Sequence, residues 1–520
     1  MEGRNMIKIG KINVDKNGQE LALKSNLNID GSTFELFVKI YGEEWHQYAV
    51  YDRADAFLFG VLPYAMRHGH DIEVEQPVSG KLLYNMNTQY IHTLAKYDPN
   101  LYETKIVADS IDTPINSAGA VATGLSCGVD CMHTVVENYN CSETSTLNLT
   151  HFVVFNQGAF GGSYYQANRD FAVKKIYARE KALADELNIP IVNISTNLES
   201  LMRIPGDQFA VYWMGIMIMS ISKLIGTYLY SSSGGDYSDF SVVNTSKKDI
   251  SYADLLSLHC LSHGATFFYS AGGAKTRFEK FKRIGKEKIV QKHIFSCLNQ
   301  TFNCGVCPKC QRNLLSIDAL DLLDEYRDAY DIDDYLRRRP QMLEYLVREV
   351  KFHGYSYSYL LEIYNEMKKK KPTEISNIEE KLSTERLISE HDEYRRQAEV
   401  ERRALRAYKT LMTSGGIEKL KQRLEDMNIH HVILYYYSYA TDIFVSLEKE
   451  LGITIDYIVE DVKDKRRIPR LPYNTVEYPK CDAIINCNMS YFELSQKKLK
   501  ERTNNKIIRA DELLDLRNMV

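Results

Sequence analysis

The chain has 520 residues, 44% hydrophobic and 26% charged, which excludes a disordered or collagen-like polypeptide and leaves room for about three domains. Its 65 Lys and Arg against 69 Asp and Glu give a formal charge of −4. No excess of basic charge is available to neutralise phosphates, so nucleic acid is not expected as a partner.

The opening Met1-Glu2-Gly3-Arg4-Asn5 has neither the apolar stretch nor the cleavage site of a secretory signal. Short alternating runs follow, such as Met6-Ile7-Lys8-Ile9 and Thr33-Phe34-Glu35-Leu36-Phe37-Val38. Turns at Lys16-Asn17-Gly18 and Asp30-Gly31 separate them. They predict strands, with a helix over 54–68, and residues 1–115 read as an N-terminal α+β domain.

From 116 to 330 the pattern becomes strand–helix alternation. Strands are expected at 120–125, 152–156 and 190–194, with helices starting near 130 and spanning 169–187. This predicts an α/β fold, a doubly wound parallel sheet with helices on both faces. The most membrane-like run, 211–230, carries Lys223 and two glycines. It reads as a buried helix over 208–224 and a buried strand over 227–230, because a span needs about 20 predominantly apolar residues. No membrane association and a cytoplasmic location are therefore expected.

Residues 311–367 read as helices, and Lys368-Lys369-Lys370-Lys371-Pro372 as a break. The charged stretch 377–412 reads as a solvated connecting helix, making 331–412 a helical extension and linker. Residues 413–520 return to alternation, with strands at 431–437, 455–459 and 483–486. They predict a small Rossmann-like domain. Where a Gly-rich loop would follow its first strand, Tyr435-Tyr436-Tyr437-Ser438-Tyr439 stands instead. Such bulk blocks close pyrophosphate approach, which leaves a recognition or assembly role, through a protein partner or a homodimer.

Two segments carry chemistry. The first is Gly124-Leu125-Ser126-Cys127-Gly128-Val129-Asp130-Cys131, after an apolar strand and at a helix start. A tight turn there aims successive N–H groups and a helix N-terminus at one point, which suits an anion. Ser126 adds a hydroxyl, and Asp130 either caps the helix or helps to hold Mg²⁺. The second is Cys297-x6-Cys304-x2-Cys307-x2-Cys310. Four clustered thiolates can close a tetrahedron around Zn²⁺, and an iron–sulfur cluster is the alternative. Lys275, Arg277 and Lys280, after an apolar strand at 266–269, are cationic candidates for the same strand-end region. Asn156 and Gln157 stand at the end of the second strand.

The first segment resembles the Ser-Gly-Gly-x-Asp-Ser loop of the PP-loop ATP pyrophosphatases. Ser126, Gly128 and Asp130 match, whereas Cys127 replaces a Gly and Cys131 a Ser. With the four-cysteine group, residues 115–330 look like the 7-cyano-7-deazaguanine synthases within that superfamily. The resemblance implies ATP held by Ser126, Cys127, Gly128, Val129, Asp130 and Cys131, with Asn156 edging the adenine. It implies Ser126, Asp130, Lys275 and Arg277 as catalytic residues, Mg²⁺ with the nucleotide, and Zn²⁺ on the four cysteines. The implied reaction adenylates a small acidic substrate, releases pyrophosphate and opens the acyl-adenylate to ammonia or another nucleophile. Two other readings stand beside it. One is a non-catalytic nucleotide-binding protein, motivated by the two loop substitutions. The other is a sulfur-transferring or tRNA-modifying relative, in which Cys127 or Cys131 at a helix N-terminus serves as nucleophile or persulfide carrier. Gly234-Gly235-Asp236-Tyr237-Ser238 further resembles a family loop near the substrate.

Overall fold

The structure, a computed structural model, describes residues 5–98, 100–155, 169–202, 210–233, 253–262, 264–298, 300–352, 358–383, 415–435, 439–459, 470–471, 477–487 and 492–513. Asn156, Gln157 and the 234–238 segment lie outside the described residues. The chain divides into two compact units, Met1–Glu379 and Glu380–Val520.

The first unit is built on a sheet with eleven strands among the described residues. Six come from the N-terminal part: β1 (Met6–Ile9), β2 (Asn13–Asn17), β3 (Glu20–Ile29), β4 (Ser32–Tyr41), β5 (Asp71–Ser79) and β6 (Ile106–Ile111). Five follow: β7 (Ala120–Gly124), β8 (His151–Phe155), β9 (Ile191–Thr196), β10 (Ile225–Ser231) and β11 (Phe267–Ala271). The order is β11-β10-β7-β8-β9-β4-β3-β1-β5-β6, with β2 beside β3. Strands β7 to β11 pair in parallel throughout. Their first strand is central, and the chain fills one flank (β8, β9) before crossing to the other (β10, β11). The 116–330 alternation thus yields a five-stranded parallel region, with buried runs such as Ala120, Val121 and Ala122 along β7.

Residues 1–115 make no separate sheet. Strand β4 pairs antiparallel with β9, Val38 opposite Thr196 and Ile40 opposite Ile194, so one sheet crosses the expected boundary at 115–116. The β3–β4 hairpin turns at Asp30 and Gly31, both at positive φ (50° and 81°), as a two-residue hairpin turn requires. Helices reinforce the join. The Asp55–His68 helix packs on the Ala210–Met219 helix, and Gly215 lies so close to Phe59 that a Cβ would sit 2.6 Å from its ring. From Val211 to Met219 the second of these helices is buried, and it ends earlier than the expected 208–224. It leads through a turn into β10. Among the described residues, no helix is long and apolar enough to cross a membrane.

Downstream, helices Pro308–Ala319, Ile332–Phe352 and Ser358–Lys370 complete this unit. The lysine run ends a helix at Lys370, and Pro372 opens the next, a position whose missing N–H costs nothing.

Among the described residues the second unit holds five parallel strands: β12 (His431–Tyr435), β13 (Thr454–Val459), β14 (Arg470–Leu471), β15 (Ala483–Asn486) and β16 (Ile507–Arg509). Their order, β14-β13-β12-β15-β16, again puts the first strand in the centre. Val432, Leu434, Phe444, Ile455 and Ile485 form its core. Tyr436 to Ser438 of the tyrosine-rich segment lie outside the described residues.

Candidate functional site

In a doubly wound sheet, neighbouring strands whose following connections run in opposite directions leave a crevice at their carboxyl ends. Here those strands are β7 and β10. The Ser126–Cys131 turn leaves β7 at that point, anchored by Leu125 N–H donating to Val153 O on β8 (2.9 Å). Ser126 is exposed, Gly128 is the N-cap of the Val129–Asn138 helix, and Cys127 is fully buried at φ 57°. A non-glycine residue rarely takes this left-handed conformation, and a glycine takes it freely. Thus Cys127 occupies the one position of the Ser126–Cys131 turn whose backbone favours a glycine. Its carbonyl accepts from Phe295 N–H (2.8 Å).

Cys131 stitches the turn shut. Its thiol donates to Gly124 O (3.3 Å) and accepts from Ser126 N–H (3.4 Å). Burial pushes the Cys131 thiol up to about 11 and raises Cys127 well above the ordinary thiol range. Both stay protonated near neutrality, which opposes the thiolate role considered for them.

Asp130 is not the N-cap of its helix, which is Gly128, but stands in the first turn. Burial alone would raise its pKa, but the charges of Arg277 and Lys280 overcome this and hold the carboxyl below the usual range. Arg277 Nη2 lies 2.8 Å from Asp130 Oδ2, and Nε lies 3.2 Å from the same oxygen. Lys280, fully buried, sits 3.5 Å from Oδ1 and donates to Ser232 O (2.7 Å). The local cause is helix spacing. Thr276 and Glu279 form a capping box that starts the Arg277–Ile284 helix, so residues three apart share the face toward Asp130. Lys275 precedes this helix and turns elsewhere, to Glu137 (3.3 Å) and His133 Nε2 (3.5 Å). His133 is buried, and burial together with Lys275 lowers it to about 4, so it is neutral at pH 7.

A cavity of about 430 Å³ opens over the turn. Ser126, Gly128, Val129, Asp130 and Cys131 border it, as do Arg277, Lys309 and Arg312. One wall is apolar, from Phe155 at the end of β8, Trp213, Met214 and Met217 of the Ala210–Met219 helix, and Tyr228 of β10. Glu180, on the Arg169–Leu187 helix, also lines it. Among the expected site residues, Ser126, Gly128, Val129, Asp130, Cys131 and Arg277 converge on this space, and Cys127 and Lys275 do not border it. Lys309, Arg312, Glu180 and Trp213 are additions. The first two were within reach of the sequence: a helix starting at Pro308 puts 309, 312 and 313 on one face.

The sulfurs of Cys297, Cys304, Cys307 and Cys310 lie within 4.8 Å of one another, as a four-sulfur metal site requires. Backbone N–H groups already point at two of them, Gln300 to Cys297 and Cys307 to Cys304, both at 3.3 Å. This donor set fits a thiophilic metal such as zinc. Cys307 caps the Pro308–Ala319 helix, and Cys297 borders the cavity, so the metal site and the cationic rim belong to one piece of chain.

Compared with protein-family models, curated proteins and solved structures, the chain matches none. The class that fold and site define is an α/β protein with an anion-suited turn at a sheet switch point and a cluster of four cysteines that could hold a metal.

Proposed function

We propose that this chain is an ATP-dependent PP-loop enzyme that adenylates a small carboxylate substrate and releases pyrophosphate. Attack by ammonia or another nucleophile would follow, as in the 7-cyano-7-deazaguanine synthases that it resembles. The observation that carries this reading is the position of the Ser126–Cys131 turn. It lies at the β7/β10 switch point and opens into a cavity rimmed by Arg277, Lys309 and Arg312. ATP would supply the electrophilic α-phosphorus. The turn's N–H groups and the Ser126 hydroxyl would hold the β,γ-phosphates, and the rim cations would offset charge that grows on the leaving pyrophosphate. The apolar wall would keep water from the acyl-adenylate. The four cysteines would hold Zn²⁺ structurally, with no open position for substrate.

Mg²⁺ fits Asp130 poorly, because Arg277 and Lys280 already occupy that carboxylate. No step is routed through it. The same pairing favours a second reading, a nucleotide-binding protein without turnover. Incubation with Mg·ATP and a panel of small carboxylates separates the two. The enzyme reading expects AMP and pyrophosphate with at least one carboxylate. ATP binding with neither product across the panel supports the second.

A further inference from the structure

Two polar atoms at the cavity lack hydrogen-bond partners among the described residues. Glu180 is 2% exposed and its Oε2 has none; Trp213 is 4% exposed and its Nε1 has none. Both residues line the space that the turn and the cationic rim enclose. A buried polar atom left unpaired is costly, and a ligand that pairs it recovers that cost. The surrounding chemistry decides what the ligand offers. Trp213 N–H can only donate, as can Arg277, Lys309, Arg312 and the turn's N–H groups. An acceptor-rich ligand is required, and the cations favour an anionic one. An anion beside Glu180 disfavours a second negative charge there, so the carboxyl must meet it protonated, as an O–H donor.

We propose that Glu180 is a proton-linked anion-binding residue, donating its O–H to an anionic oxygen of the ligand that enters this cavity. This rests on the nucleotide reading for the identity of that ligand, ATP or the pyrophosphate released from it. Burial supports the protonated state, raising Glu180 from 4.5 to about 8 against the opposing charge of Arg179 on its own helix. Other groups face the same space: Cys131 and Asp130 from the turn, Tyr228 and Tyr230 from β10, Arg277, Cys297, Lys309 and Arg312; Cys127, behind the turn, is close enough for Glu180 to act on it electrostatically. The two turn thiols and Tyr228 are pushed up by burial and stay neutral near pH 8. Above about pH 8 the free protein loses the Glu180 proton, and binding must take one back from solvent.

The test is calorimetric titration of the full chain with Mg·ATP, and separately with inorganic pyrophosphate, between pH 7 and 9.5. Wild type is compared with Glu180→Gln, which stays neutral and keeps an N–H donor. Above about pH 8, wild-type affinity should fall by up to about tenfold per pH unit relative to Glu180→Gln. Titration in two buffers of different ionisation enthalpy should show close to one extra proton taken up by the wild type. Trp213→Phe should weaken binding severalfold at every pH without changing that difference. Folding is checked independently. A carboxyl raised from 4.5 to about 8 loses stability as pH rises through that window, so at pH 8.5 Glu180→Gln should melt at or above wild type. Parallel pH profiles for wild type and Glu180→Gln, or loss of binding in a folded Glu180→Gln, would overturn the inference and leave the nucleotide reading standing. Absence of binding of either anion to the wild type would overturn both.

Discussion

Cys127 sets two local energies against each other. Its left-handed backbone (φ 57°) costs roughly 1–2 kcal/mol for a residue with a Cβ, whereas its thiol is fully buried. Cys127→Ala removes the buried sulfur and keeps the strain. Cys127→Gly removes both. In ordinary backbone Gly is the worse of the two by about 0.5–1 kcal/mol, but here the order should reverse, with Gly more stable than Ala by about 1 kcal/mol in chemical denaturation. Equal or lower stability for Gly would show that the turn does not hold this conformation in solution. The sequence made the substitution legible, because the resemblance marks position 127 as glycine. It did not reveal Glu180, one of many charged residues in a helix whose only visible pattern was amphipathic. Nothing in residue type separates a buried carboxylate from the exposed ones beside it. The pairing of Asp130 with Arg277 was hidden for another reason, since 147 positions separate them and only the fold brings them together.

At the scale of elements, the metal loop and the helix after it act together. Cys307 ends the loop and caps the Pro308–Ala319 helix, Cys310 lies in its first turn, and Lys309 and Arg312 reach the cavity from that turn. A metal on the four sulfurs therefore fixes where two rim cations stand. Elemental analysis should give one zinc per chain. Cys310→Ser should lose it, lower the melting temperature by about 5 °C or more, and weaken nucleotide binding. Retained binding in the metal-free variant would separate the two sites. Four closely spaced cysteines are recognisable without a structure because a metal needs its ligands within one coordination sphere. The apolar run 120–125 followed by a Gly-rich turn was recognisable too, because strand, turn and helix there are local in sequence. Strand β4 was legible as a strand from its alternation, but its partner β9 was not. A pairing between Val38 and Thr196 leaves no local trace.

Across the molecule, the parallel region β7 to β11 of the first unit and the sheet of the second repeat one plan, with the earliest strand of each central. The first unit offers a cavity with cationic side chains at its switch point. The central claim is that this cavity is a nucleotide site, and titration of the full chain with Mg·ATP at pH 7.5, alongside Lys309→Met, tests it most directly. Lys309 is exposed at the rim, so its replacement should leave the fold intact. The account predicts one Mg·ATP per chain with a dissociation constant below about 1 mM, weakened about fivefold or more in Lys309→Met. No saturable binding up to millimolar ATP, or binding indifferent to Lys309→Met, would contradict it.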